Sequence, residues 1–196
     1  MVKLVRIVTH DENPERAAEL FAEEKVIAVG WNHKESIAGK NKDEIKQMLI
    51  DEGIKNPDWG ASQLITFRDE IKVGDIILAY KANNIIALVG EVIGEYEFNT
   101  KNKVGKPKQE GGEIDYPNQR KVYWWEKPRN FHRNLLPREL AEMVASRGTI
   151  KILDENVDIN KLKDILNSIP SDVSHEKILE IANEDEIKKI FDKQYK

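Results

Sequence analysis

Four tryptophans sit where an indole could do more than fill a core. Trp31 follows an apolar run that ends in glycine, Val26-Ile27-Ala28-Val29-Gly30, and precedes polar Asn32 and His33. That setting suits the mouth of a pocket. Trp59 lies in Pro57-Asp58-Trp59-Gly60, and Trp124 and Trp125 are neighbours in a β-branched run. Alternation sends Trp124 and Trp125 to opposite faces of a strand. For Trp59 and Trp124 the plainer role, core or sheet cover, is the expected one. Tyr96, Phe98 and Tyr116 border a polar stretch rich in Lys and Gly, from Gly94 to Asn118. Aromatic planes beside lysines and arginines suit nucleic acid: the rings stack on an unpaired base and the cations hold its phosphates. The base-contacting candidates are Trp31, Asn32, Trp59, Tyr96, Tyr116 and Trp125. The phosphate-contacting candidates are Lys101, Lys103, Lys106, Arg120, Lys121, Arg129 and Arg133.

One pattern suggests hydrolysis instead. Pro57-Asp58 followed by Glu70-Ile71-Lys72 matches the arrangement in which two carboxylates hold Mg²⁺ and a lysine assists the attacking water. The triplet is cheap, because Glu-Ile-Lys recurs at Glu44-Ile45-Lys46 and Glu186-Ile187-Lys188. A nuclease using Asp58, Glu70 and Lys72 is therefore a minor alternative. Other catalytic signatures are absent. No phosphate-cradling G-x-x-x-x-G-K-[ST] loop, G-x-G-x-x-G or G-x-S-x-G occurs. The histidines His10, His33, His132 and His175 lack ligand spacing and are read as surface or locally bonded residues. The absence of cysteine excludes disulfides, thiolate metal sites and cysteine nucleophiles. No cofactor and no metal are expected, and a non-catalytic module is the favoured class.

Charge sharpens the same reading. The chain of 196 residues carries a formal charge of −4, so it is not a uniformly basic coat for a polyanion. Gly94 to Lys151 is nonetheless +4, which leaves −8 for the rest, much of it after Ile152. No apolar run approaches the roughly 20 residues of a membrane span, and the start reads as a strand rather than a signal peptide. A cytoplasmic protein without membrane contact is expected.

The elements that must position these residues follow from pattern. Val2 to Val8 and Val26 to Trp31 read as strands. Asn13-Pro14 starts a helix, with Pro14 at its first position. Asn41 caps a second helix carrying Ile45, Met48, Leu49 and Ile54, which Pro57 breaks; Ser62 to Ile71 forms a short one. Ile76 to Ala79 and Ile85 to Ile93 flank the tip Ala82-Asn83-Asn84 of a hairpin. Gly94 to Asn118 reads as a long loop and Arg120 to Trp125 as a strand. Arg138 to Arg147 is a helix, Thr149 to Leu153 a last strand, and Lys161 to Ile169 and Glu176 to Tyr195 are helices. Strands interleaved with short helices give an α+β class, a small barrel or curled sheet.

Several stretches taken together carry a resemblance. They are Val29-Gly30-Trp31, then Trp59, then Gln63 to Asp75 with its Phe67, Ile71 and Gly74-Asp75. Gly90-Glu91-Val92-Ile93-Gly94-Glu95-Tyr96 and Arg120-Lys121-Val122-Tyr123-Trp124 complete the set. The set, over about Val26 to Leu153, resembles the PUA-like modules of the EVE and YTH group. It is most similar to the N-terminal DNA-binding modules of modification-dependent restriction proteins, including archaeal McrB. The resemblance implies a curled β-barrel flanked by helices over residues 1–155, with residues 156–196 a helical appendage leading toward a motor domain. It also implies a pocket for a modified base flipped out of double-stranded DNA, N6-methyladenine in YTH relatives. Trp31 matches one wall of their aromatic cage, with Asn32 as a polar reader. Their second cage tryptophan has no counterpart here, and Tyr116, Tyr96, Trp59 or Trp125 could supply that wall. The partners implied are a GTPase motor in the same parent protein and a separate nuclease subunit. An RNA-binding PUA-like module uses the same stacking surface and stands as the alternative.

Overall fold

The computed structural model describes residues 1–9, 14–31, 33–81, 84–100 and 116–169. Its frame is a mixed sheet in the order β2-β6-β4-β3-β1-β8. The strands are β1 (Leu4–Val8), β2 (Val26–Val29), β3 (Ile76–Lys81), β4 (Ile85–Val92), β6 (Asn118–Trp124) and β8 (Ile150–Asp154). Two short strands, β5 (Glu97–Phe98) and β7 (Phe131–His132), pair with β6 and β4. Among the described residues only β1 and β3 run parallel; the other pairs are antiparallel. The helices are α1 (Pro14–Glu24), α2 (Lys42–Asp51), α3 (Pro57–Ile65), α4 (Arg138–Val144) and α5 (Ile159–Asn167).

The sheet curls because β6 changes partner along its length. Val122, Tyr123 and Trp124 pair with β4, while Asn118 to Lys121 pair with β2. The approach at the corner is close. A Cβ on Gly90 would lie 2.6 Å from the Trp124 ring, so glycine is what lets β4 and β6 meet there. The result is a half-barrel, an α+β architecture of curled mixed sheet and helices.

Period-two alternation splits the strands between two cores. Val5, Ile7, Ile77, Ala79, Val122 and Trp124 face the concave side with Phe21, Ile45, Leu49, Leu64 and Phe67 from the first helices. Leu4, Ile76, Leu78, Val89 and Leu153 face the other side, covered by Ala141 and Val144 of α4 and Leu162 and Leu166 of α5. The described part of the expected appendage thus packs on this sheet. Trp124 is core as expected, its indole N–H donating to the Phe21 carbonyl at 2.7 Å. Trp125 falls on the opposite face.

Most expected elements are present, with shifted ends. Asn41 caps α2 through a reciprocal capping box with Glu44. One assignment is corrected. Pro57 does not merely break a helix; it occupies the first turn of α3, which begins before Ser62 and continues as a π-helical turn, Thr66–Glu70. The helix after Pro137 stops at Val144 rather than Arg147. Buried Arg6 of β1 donates to the carbonyl of Val144, the last residue of that helix, and to those of Ser146 and Gly148 beyond it. Asn13, the hairpin residues Ala82 and Asn83, and the helix expected over Glu176 to Tyr195 lie outside the described residues. Among the described residues no helix is long and apolar enough to cross a membrane.

Candidate functional site

The two ends of the strand order converge on a cavity of about 330 Å³. That is the small end of the roughly 300–1,000 Å³ typical of ligand pockets. One wall is the end of β2, Ala28 and Val29, running into Gly30 and Trp31. The facing wall is Val8 and Thr9 at the end of β1 with Thr149 before β8. The Val8 amide donates to the Thr149 carbonyl at 2.8 Å and holds that wall together. Trp59, from the first turn of α3, and Tyr116, before β6, complete the lining. Three aromatic rings from separate segments thus share one opening.

Their geometry is a corner rather than a sandwich. The Trp31 and Trp59 rings stand 5.8 Å apart at 78°, edge to face. Trp59 is 44% exposed and Trp31 and Tyr116 are half-buried, so solvent reaches the rings. Behind Trp31 lies Gly60, where a Cβ would come 3.5 Å from the indole nitrogen and 2.9 Å from Leu49. A methyl there would only touch the indole but would crowd Leu49, so the glycine lets α3 pack closely on α2 behind Trp31.

Under the Trp31 segment runs a buried polar network. The Asn118 amide faces the Val29 carbonyl at 3.1 Å and His33 Nε2 at 2.7 Å. Its oxygen accepts from the Tyr96 hydroxyl at 2.8 Å. His33 Nδ1 lies 2.8 Å from the Glu35 carbonyl, and the ring stacks on Phe98. Burial holds the imidazole below its ordinary pKa, against smaller upward pulls from the Glu35 carbonyl and the Glu52 carboxylate. Arg68 fixes the following loop by donating to the Ile37 and Lys40 carbonyls.

Of the base-contacting candidates, the cavity gathers Trp31, Trp59 and Tyr116. Tyr96 is not on its wall; the ring meets Phe67 edge-on and the hydroxyl serves Asn118. Trp125 belongs to the second core, with the Lys163 ammonium 5.5 Å over its ring. Asn32 lies outside the described residues, as do Lys101, Lys103 and Lys106.

Arg120 requires a correction. It is 1% exposed and its guanidinium donates to the carbonyls of Phe67, Arg68 and Gly94. Burial lowers its pKa, with Glu95 pulling the other way. The side chain ties the π-helical turn to β6 and offers nothing to a phosphate. Arg133 is similarly engaged, with Asn84 and the Ala141 carbonyl. Lys121 and Arg129 are exposed. Lys121 pairs with Val26, about 10 Å along β2 from the Val29 end that leads to the cavity.

The hydrolytic alternative loses its geometry. Asp58 begins α3 and Glu70 ends the turn that continues it, twelve residues on and roughly 18 Å along a helical path. Asp58 lies 3.5 and 3.4 Å from the ammonium groups of Lys42 and Lys46, which hold its pKa below the usual carboxylate range. Glu70 accepts from the Thr66 hydroxyl. Among the described residues no cluster of three His, Asp or Glu side chains could hold a metal.

Two exposed cations stand near lining residues in the chain: Lys34, three residues after Trp31, and Arg147, two before Thr149. The regional charge of Gly94 to Lys151 includes Arg147 but not Lys34. Residues 6–150 match a protein family described as a domain of unknown function (DUF8426), and the chain belongs to that family. No curated protein matches it.

Proposed function

We propose that the protein is a non-catalytic, PUA-like reader that takes one modified, extruded base of DNA into the Trp31–Trp59–Tyr116 cavity. The observation that carries this reading is the convergence of three aromatic side chains on one open cavity. Stacking on such rings contributes about 1–3 kcal/mol per base. A methyl group leaving water adds up to about 0.8 kcal/mol. Together these offset an extrusion cost of a few kcal/mol. The same reading makes the chain the targeting module of a McrB-type restriction system, delivering a GTPase motor and a nuclease subunit to modified sites.

The test is an anisotropy titration of labelled duplexes with and without N6-methyladenine, with single-stranded RNA as competitor. Tighter binding of the methylated duplex supports the reading. Equal affinities overturn its modified-base part, and preferential displacement by RNA transfers the cavity to an RNA-binding role.

A further inference from the structure

Asn118 is fully buried on β6, and its carboxamide faces both flanks of Trp31. It reaches the Val29 carbonyl two residues before the indole and His33 two residues after it. The orientation is forced by chemistry. A carbonyl only accepts, so the NH₂ end of Asn118 must face Val29, and its oxygen takes the Tyr96 hydroxyl. The Glu35 carbonyl likewise requires the proton of His33 on Nδ1. Nε2 is then left with a lone pair toward the Asn118 N–H, which is the neutral tautomer.

We propose that Asn118 is the positioning residue of the cavity, stapling both flanks of Trp31 through Val29 and His33, and that the staple holds only while His33 is neutral. This rests on the reading of the cavity as the base-binding site. A second proton would set an N–H at Nε2 against the N–H of Asn118. Turning the amide to accept it would take the NH₂ from Val29 and the oxygen from Tyr96. The groups facing His33 are few. Glu52, past the end of α2, favours the extra proton. Glu35 presents its carbonyl, while its carboxylate lies 3.4 Å from the Lys40 ammonium. Tyr96, Phe98 of β5 and Asn118 of β6 bring no charge, and burial keeps the imidazole neutral near pH 7.

The experiment uses the full chain and two readouts from about pH 8 to about pH 5. One is indole emission without DNA; the other is affinity for duplexes with and without N6-methyladenine. In His33→Gln the side-chain amide supplies the same donor and acceptor without titrating. Wild-type emission is expected to shift on acidification. Its preference for the methylated duplex should fall about ten-fold per pH unit once His33 protonates. His33→Gln should show neither change. Asn118→Ala should lose the preference at every pH, but its burial can cost folding, so His33→Gln decides. Emission that titrates alike in wild type and His33→Gln overturns the staple, whatever the DNA does. Emission that titrates only in wild type, with equal affinity for both duplexes, supports the staple and overturns the base-reading role.

Discussion

The indole of Trp31 meets that of Trp59 edge to face, with 5.8 Å between ring centroids, at the opening of a cavity between the two ends of the sheet. One ring follows β2 and the other begins α3, so the corner they form exists only in the folded chain. A planar ligand laid on one indole meets the edge of the other. Trp59→Ala, at a 44% exposed position, should cost only about 1 kcal/mol of stability, the loss of one aromatic pair. It should weaken binding of methylated DNA by roughly ten- to hundred-fold, the value of one stacking contact. Trp31→Ala should abolish the preference for the methylated duplex while weak duplex binding persists. Both are read by anisotropy titration.

Arg120 makes a contrasting prediction. Its guanidinium serves three carbonyls inside the fold. Arg120→Met should cost roughly 3 kcal/mol in urea denaturation, because carbonyls are left unpaired in a buried place. The salt dependence of DNA binding should not change. A reduced salt slope in a stably folded variant would return Arg120 to the phosphate contacts.

Lys34 and Arg147 should behave in the opposite way. Each phosphate contact removed lowers the slope of log K against log salt by about 0.9. Lys34→Ala and Arg147→Ala should each flatten the slope by that amount, with no change in unfolding midpoint. Unchanged slopes in both would leave these two exposed residues without a phosphate role.

Gly90 tests the corner of the sheet. In Gly90→Ala the new methyl would meet the Trp124 ring and the Tyr123 carbonyl, each at 2.6 Å. Overpacking of this kind costs about 1–3 kcal/mol. At this chain length a loss of 1 kcal/mol lowers Tm by about 2–4 °C. A thermal melt within a degree of wild type would mean that β4 and β6 separate more easily than their packing indicates.

The buried imidazole of His33 gives stability a pH dependence of definite sign. Its pKa is lowered in the folded chain by burial. Between that value and the ordinary one of about 6.5, the unfolded chain binds more protons. The contribution is therefore complete above about pH 6.5 and is lost as pH falls toward the lowered value. The urea midpoint should drop on acidification, and less so in His33→Gln.

Much of this arrangement was legible in the sequence, where local pattern and final environment agree. The hairpin of β3 and β4, the glycine-ended β2 and the helix start at Pro14 follow from alternation and proline chemistry. Trp31 at a pocket mouth was readable because an indole beside polar residues at a strand end has little core to enter. Pro57 was misread because proline both stops and starts helices, and only packing decides which. Arg120 was misread through charge, although alternation held the answer. It shares parity with Asn118, Val122 and Trp124, all buried, while Lys121 and Tyr123 point outward. Asn118 is not marked in this way: the sequence reads it as the end of the long loop, and Gln119 beside it is buried as well. Its partners Val29, His33 and Tyr96 come from distant segments, which spacing along the chain does not reveal.

The most direct measurement is a crystal structure of the chain with a duplex carrying a single N6-methyladenine. The account predicts that the methylated base leaves the helix and lies against Trp31, bounded by Trp59 and Tyr116, with the Asn118–His33 contact intact. A base still stacked in the duplex, or DNA bound away from this cavity, would contradict it.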